Sequence, residues 1–205
     1  MIARVRNDVA AAIVVVMDAV FVASALGFRV WLQYRRTKDF GIRSAFERNQ
    51  LVGWVGGVSY LGCSVFAIVA EFVKWIEPRT IPALLVGTGA IISMGGMVLT
   101  ILAQLQMRDS WRIGLDEREV TQLVRSGIFA YMRNPIFSGL LLVNTGVLLI
   151  LPNVFSALAL ILAIALVEYH VRCYEEPYLK RVHGCTYTSY GESVGRFIPR
   201  VGCFR

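Results

Sequence analysis

The chain has 205 residues, 56% of them hydrophobic, and a formal net charge of +7. An apolar content this high, gathered into runs long enough to cross a bilayer, excludes an ordinary soluble domain. The positive charge does not mark a nucleic-acid surface: the basic residues flank the apolar runs, as topology signals and contacts to anionic headgroups of membrane lipids do.

In chain order, an apolar run over 9–31 makes a first membrane span, broken by Asp18. Asp18 is far in sequence from the other polar groups, which favours a packing contact between helices over a site role. Arg4 and Arg6 ahead of this run, with Ala23-Ser24-Ala25 inside it, also have the form of a cleavable leader. The apolar run continues past that point and a basic loop follows, which favours a retained helix. That loop carries Arg35, Arg36, Lys38, Arg43 and Arg48. The second span, 51–76, spaces Gly53 and Gly57 as small-xxx-small, a pattern that lets helices approach closely. Pro78 and Pro82 bracket a turn, and 83–107 forms the third span. Its Gly87-Thr88-Gly89 lacks the preceding strand and the following acidic residue of a dinucleotide loop, so it reads as helix packing. The polar stretch 108–125, with Trp111, Asp116, Glu117 and Glu119, suits an interfacial segment with Trp111 at headgroup depth. Two more apolar runs, 136–151 and 154–169, join at Pro152-Asn153. The first covers only about 24 Å at ~1.5 Å per residue, short for a full crossing, which a re-entrant hairpin or a thinned bilayer would accommodate.

The expected fold class is an all-α integral membrane protein of about five transmembrane helices. Residues 1–107 supply three of them, and 108–205 form a catalytic part: interfacial segment, helical hairpin and cytoplasmic C-terminal tail. Loops 32–50, 108–133 and 172–205 hold sixteen of the 21 Lys and Arg residues. Positive loops stay cytoplasmic, which places the C-terminus inside and the N-terminus outside. Cys63, Cys173, Cys185 and Cys203 show neither CxxC nor metal-ligand spacing and read as free thiols. His170 and His183 are isolated, so no metal cluster and no catalytic base is expected.

The hairpin returns Arg172, Glu175 and Glu176 to the side where Arg133 and Asn134 begin it. Glu168, Arg172, Glu175 and Glu176 fall at i, i+4, i+7 and i+8, one face of a helix that Pro177 tends to end. Paired carboxylates and an arginine at a membrane edge can hold a zwitterionic, cationic ligand. A solvated salt-bridge ladder is the plainer reading of the same residues. Asn134-Pro135 likewise fits a helix cap followed by proline in the first turn, with Arg133 marking the membrane boundary. Charged groups converging beside hydrocarbon are expensive and usually functional, which puts the candidate site here.

Taken together, Gly127-x-x-x-Tyr131-x-Arg133-Asn134-Pro135-x-Phe137-x-Gly139, Glu175-Glu176, Gly184-x-x-Tyr187-x-x-Tyr190 and Arg196-x-x-Pro199 resemble the isoprenylcysteine carboxyl methyltransferase family, a group related to the membrane phospholipid methyltransferases. The resemblance covers about residues 108–199. Many members have His in place of Asn134 and Tyr in place of Phe137. It implies a cytosol-facing S-adenosylmethionine pocket built by hairpin and tail, with a lipid-facing opening for a lipophilic substrate entering from the bilayer. For the cofactor it implies Tyr131, Asn134, Pro135, Phe137, Gly139, Glu175, Glu176, Tyr187 and Tyr190, to which the helix face adds Arg172. For the chemical step it implies Arg133 and Arg196, to which the same face adds Glu168.

Methyl transfer is an in-line displacement at a sulfonium carbon, so positioning and exclusion of water are what the protein must supply. Carboxylates can take ribose hydroxyls or the amino group, arginine the carboxylate, and aromatic faces the adenine or the sulfonium. Membrane sterol and isoprenoid reductases have a similar catalytic half but are generally larger and use a nicotinamide cofactor. A non-catalytic membrane protein that keeps the fold, such as a small transporter, is a third reading. Inverted repeats would support it; the sequence has none, and Asn134 is the residue in its favour.

Overall fold

The computed structural model describes residues 3–40, 65, 68, 69, 80–111 and 122–204. Most of the expected second span, with Gly53 and Gly57, lies outside the described residues, as does the acidic run Asp116, Glu117 and Glu119. Three helices among the described residues are long and apolar enough to cross a membrane: Asn7–Thr37, Ala83–Gln106 and Val154–His183. Leu84, Ile91 and Met94 on the second and Leu158, Ile161 and Ile164 on the third stay exposed, as side chains facing hydrocarbon should. This is an integral membrane protein.

Helix α1 (Asn7–Val22) opens with Asp8 in its first turn, where a carboxylate complements the helix dipole. It continues through a wide π turn (Ala23–Phe28) into α2 (Arg29–Thr37), and Lys38 in the left-handed region ends the rod. Strands β1 (Arg4–Arg6) and β2 (Thr80–Pro82) pair antiparallel with Val5 opposite Ile81, a small departure from an all-α fold. Pro82 biases Ile81 toward extended backbone, and the pairing gives that segment its hydrogen-bond partners. The ribbon ties the start of α1 to the start of α3 (Ala83–Gln106).

Helix α3 packs along α4 (Pro135–Ile150) through small residues. Gly89, Ser93, Gly96 and Thr100 meet Gly139, Val143 and Gly146. A Cβ on Gly89 would lie 2.7 Å from the Gly146 carbonyl oxygen, and one on Gly96 would lie 2.5 Å from that of Gly139. Where lipid is as apolar as leucine, close backbone approach is what holds two helices together. Gly89 is thus a packing glycine, as its sequence context indicates, whereas Gly87 has open space around it.

The hairpin turn is closed by Asn153, whose side chain accepts from the Ser156 N–H at 2.9 Å and caps α5 (Val154–His170). The first arm, α4, has only 16 residues, the short element its sequence predicts. The second arm runs on through another π turn (Val171–Glu175) into α6 (Glu176–His183), so Pro177 does not end the helix. A proline removes one N–H and crowds the carbonyl four residues back. The π turn widens the helix just ahead of it, and Pro177 occupies the first turn of α6, where the missing donor costs least. Gly184, with φ 55°, then separates α6 from α7 (Cys185–Ser193).

Trp111 also departs from expectation. It is 3% exposed rather than turned to the headgroups, with the Arg29 guanidinium 4.5 Å over its ring. Arg29 Nη2 donates to the Arg108 carbonyl at 2.5 Å. An enclosed arginine needs acceptors and a π face, and the indole supplies the latter.

Candidate active site

The chain after α7 returns to the start of α4. Arg133 N–H donates to the Gly195 carbonyl at 2.8 Å and Asn134 N–H to that of Arg196 at 3.0 Å. Asn134 stands at the N-cap position, but its side chain does not cap the helix; Nδ2 donates to the Arg196 carbonyl at 3.3 Å. Ser138 Oγ, one turn further, donates to the Phe197 carbonyl at 2.7 Å. The first turn of α4 therefore fastens the tail, while Ser138 Oγ also reaches the Asn134 carbonyl of its own turn at 3.0 Å.

Glu176 is the centre of this junction. Its Oε1 accepts from Arg133 Nη2 at 2.7 Å and from Arg196 Nε at 2.8 Å, and its Oε2 from Arg196 Nη2 at 3.0 Å. Glu176 is 6% exposed and Arg133 5%. Arg133 Nη1 donates to the carbonyls of Gly191, at 2.9 Å, and Val194; Nη2 also reaches that of Gly202 at 3.1 Å. Both Nη groups of Arg133 are engaged inside the protein. Arg133, the residue expected at the chemical step, is thus enclosed, and through these bonds it clamps the tail to the hairpin. Glu176 likewise does not sit on a solvated helix face, and its hydrogen bond keeps the Arg196 pKa above its ordinary value.

The exposed end of the same charge row fits the plainer reading. Glu168 Oε2 accepts from Arg172 Nε at 2.5 Å, an i,i+4 pair, and lies 3.7 Å from Arg196 Nη1. Charges thus alternate Arg172, Glu168, Arg196, Glu176, Arg133 from the helix surface inward. Glu175 stands beside the row, half-buried, and its Oε2 has no hydrogen-bond partner.

The expected aromatic residues divide into two groups. Tyr187 is 1% exposed and packs edge-on against Tyr190 and Phe204. Burial, and then the carboxylates of Glu175 and Glu176, push its phenol well above the usual range. Tyr190 Oη donates to the Phe129 carbonyl at 2.5 Å, and burial pushes its pKa up to about 12. Both are neutral and lie in the cluster that packs α7. Phe137 lies apart from them, its ring 5.8 Å from His170, which is 6.1 Å from Tyr174. Tyr131 is 67% exposed. Pro135 is buried in the first turn of α4, and Gly139 belongs to the α3 seam, where a Cβ would overlap the Gly96 carbonyl and Thr100. These two shape the first turns of α4.

His170, isolated in the sequence, meets Phe137 and Tyr174 in the fold, and neither Tyr174 nor Phe204 is among the expected site residues. The i,i+4 spacing of His170 and Tyr174 was a usable signal, but the third ring, Phe137, comes from the other arm. Phe204 lies beyond every motif and offered no signal. Cys173, Cys185 and Cys203 are free thiols, as expected, and Cys63 lies outside the described residues.

A hairpin whose polar end is tied to the segment after α7 by a buried carboxylate defines the class: an integral membrane protein with an enclosed charge cluster at one end of its hairpin. Residues 82–186 match the phospholipid methyltransferase family, and the chain belongs to that family. The match starts well before the motifs, at the head of α3, the helix that α4 packs on. Protein-S-isoprenylcysteine O-methyltransferase B of Arabidopsis thaliana is 33% identical over 89 residues, which cover 43% of this chain and 45% of that protein. The chain therefore matches less than half the length of that relative. The fold is also similar to the eukaryotic intramembrane Ras methyltransferase, isoprenylcysteine carboxyl methyltransferase. That likeness has a TM-score of 0.59 at 18% identity and covers 92% of this chain and 66% of the other.

Proposed function

We propose that this protein transfers a methyl group from S-adenosylmethionine to a lipid-like or isoprenoid acceptor held in the membrane. The observation that carries the reading is the Arg133–Glu176–Arg196 bridge, which seats the tail on the hairpin beside Glu175. A buried carboxylate oxygen without a donor is costly unless a ligand supplies one, and Glu175 Oε2 is such an atom. The ribose hydroxyls or the amino group of S-adenosylmethionine fit it. Phe137 offers a ring to the adenine or the sulfonium. Arg172 and the Nη1 edge of Arg196 suit a carboxylate on cofactor or acceptor. When bound, the cofactor supplies an electrophilic methyl group.

The residues of the chain do positional work. Glu176 orients the Arg196 guanidinium from one side, and Glu168 attracts its free edge from the other. The tail over the hairpin start excludes water from the reacting atoms. Residues 108–205 act as the catalytic part, facing the cytoplasm, with the N-terminus outside. The short α4 leaves the acceptor a lateral route from the bilayer.

Calorimetry of the detergent-purified protein with S-adenosylmethionine, S-adenosylhomocysteine and NADPH tests the reading. The two adenosyl ligands should bind and NADPH should not. Binding of NADPH alone would move the protein to the reductases, and binding of none would sink the catalytic reading. Reporter fusions at residue 205 and near residue 79 should report opposite sides of the membrane.

A further inference from the structure

Phe204 belongs to none of the motifs, yet it joins three segments of the clamp. Its N–H donates at 2.8 Å to the Gly191 carbonyl, the acceptor that also takes Arg133 Nη1 at 2.9 Å. The Arg133 guanidinium lies 4.3 Å over its ring and the Lys180 ammonium of α6 lies 3.9 Å over it. Its edge meets Tyr187, with ring centroids 5.8 Å apart. The ring rests on Gly191, where any Cβ would overlap it, so this position of α7 is shaped to receive it.

The electrostatics give the ring a task. Glu176 is one anion shared by two guanidinium groups; Arg196 also faces Glu168 at 3.7 Å, whereas among the described residues Arg133 has only its share of Glu176, which leaves positive charge in excess at Arg133. Arg133 Nε has no hydrogen-bond partner to offset that excess. A π face does offset it, through its negative quadrupole, most strongly where water is excluded. We infer that Phe204 is a positioning residue for the candidate site: its ring holds the Arg133 guanidinium, and through it Glu176 and Arg196, in the arrangement that closes the tail beside Glu175. The inference rests on the methyl-transfer reading for what the site binds, and on the contacts alone for the clamp.

The test compares Phe204→Leu, which keeps apolar bulk without a π face, with Phe204→Tyr, which keeps both, in the full-length detergent-purified protein. Two readouts are taken well below each variant's melting temperature: S-adenosylhomocysteine affinity by calorimetry, and amide exchange of the peptides spanning 131–138 and 194–202. Phe204→Leu should exchange faster in both peptides and bind roughly five- to thirtyfold more weakly, the loss of one desolvated cation–π contact. Phe204→Tyr should restore both readouts. Equal exchange in the wild type and Phe204→Leu would overturn the inference. So would faster exchange with unchanged affinity, which would reduce the ring to packing. Failure of the wild type to bind the ligand, with the exchange difference present, would instead overturn the methyl-transfer reading and leave the clamp standing.

Discussion

The α3–α4 seam and the clamp at the hairpin end solve the same problem, holding segments together beside lipid, with opposite materials. The seam uses residues that have almost no side chain, so that backbones touch; the clamp uses the largest charged side chains of the chain, enclosed by carbonyls and a ring. In the seam the energy lies in dispersion at close approach and depends on shape. In the clamp it lies in mutual satisfaction of groups that would each be costly alone. One added carbon should damage the first, and one removed charge the second.

The largest effect is expected from Glu176→Ala, which leaves two guanidinium groups facing each other without their carboxylate. Breaking a buried pair costs about 3–5 kcal/mol, so the melting temperature in detergent should fall steeply; a small shift would mean that the bridge is effectively solvated. Glu175→Gln, one residue earlier, should leave stability intact and weaken S-adenosylhomocysteine binding. Loss of one charge-assisted hydrogen bond corresponds to about 1.5–3 kcal/mol, or roughly ten- to a hundredfold in affinity by calorimetry. A neighbouring pair of glutamates would thus separate into one structural and one ligand-facing residue; wild-type affinity in Glu175→Gln would remove it from the site.

On the seam, Gly146→Ala places a Cβ against Ser93 and the Gly89 backbone. Overpacking of this kind costs about 1–3 kcal/mol, readable as a fall in melting temperature with ligand affinity retained below the transition. Tyr190→Phe should cost about 1 kcal/mol, the worth of its hydrogen bond to Phe129. Its phenol also sets a pH signature. The folded protein holds that proton up to about 12, against 10.0 for the free group. Its stabilising contribution is complete below pH 10 and is lost as pH rises from 10 through about 12. The alkaline fall in melting temperature should therefore be shallower in Tyr190→Phe. Smallest of all is Arg172→Ala: its partner Glu168 is an exposed i,i+4 neighbour, and stability should change by no more than about 0.5 kcal/mol.

By itself the sequence determined the membrane class, the bounds of α3, α4 and α5 to within a residue or two, the turn at Asn153, and the helix-packing role of Gly89. These follow from composition, hydrophobic run length and local capping, which act over a few residues. It also singled out the charged residues of the candidate site, because polar groups beside hydrocarbon stand out in any reading. What it left to the tertiary structure was their division of labour. Periodicity assumes 3.6 residues per turn, and the π turn at Val171–Glu175 breaks that assumption just before the two carboxylates diverge. Only the folded chain decides that Glu176 faces inward to Arg133 and Arg196 while Glu175 keeps an oxygen without a partner. The partners involved are 43 and 20 residues away in sequence, and a charge buried at such separation is settled by which distant acceptors come to enclose it, not by its neighbours along the chain.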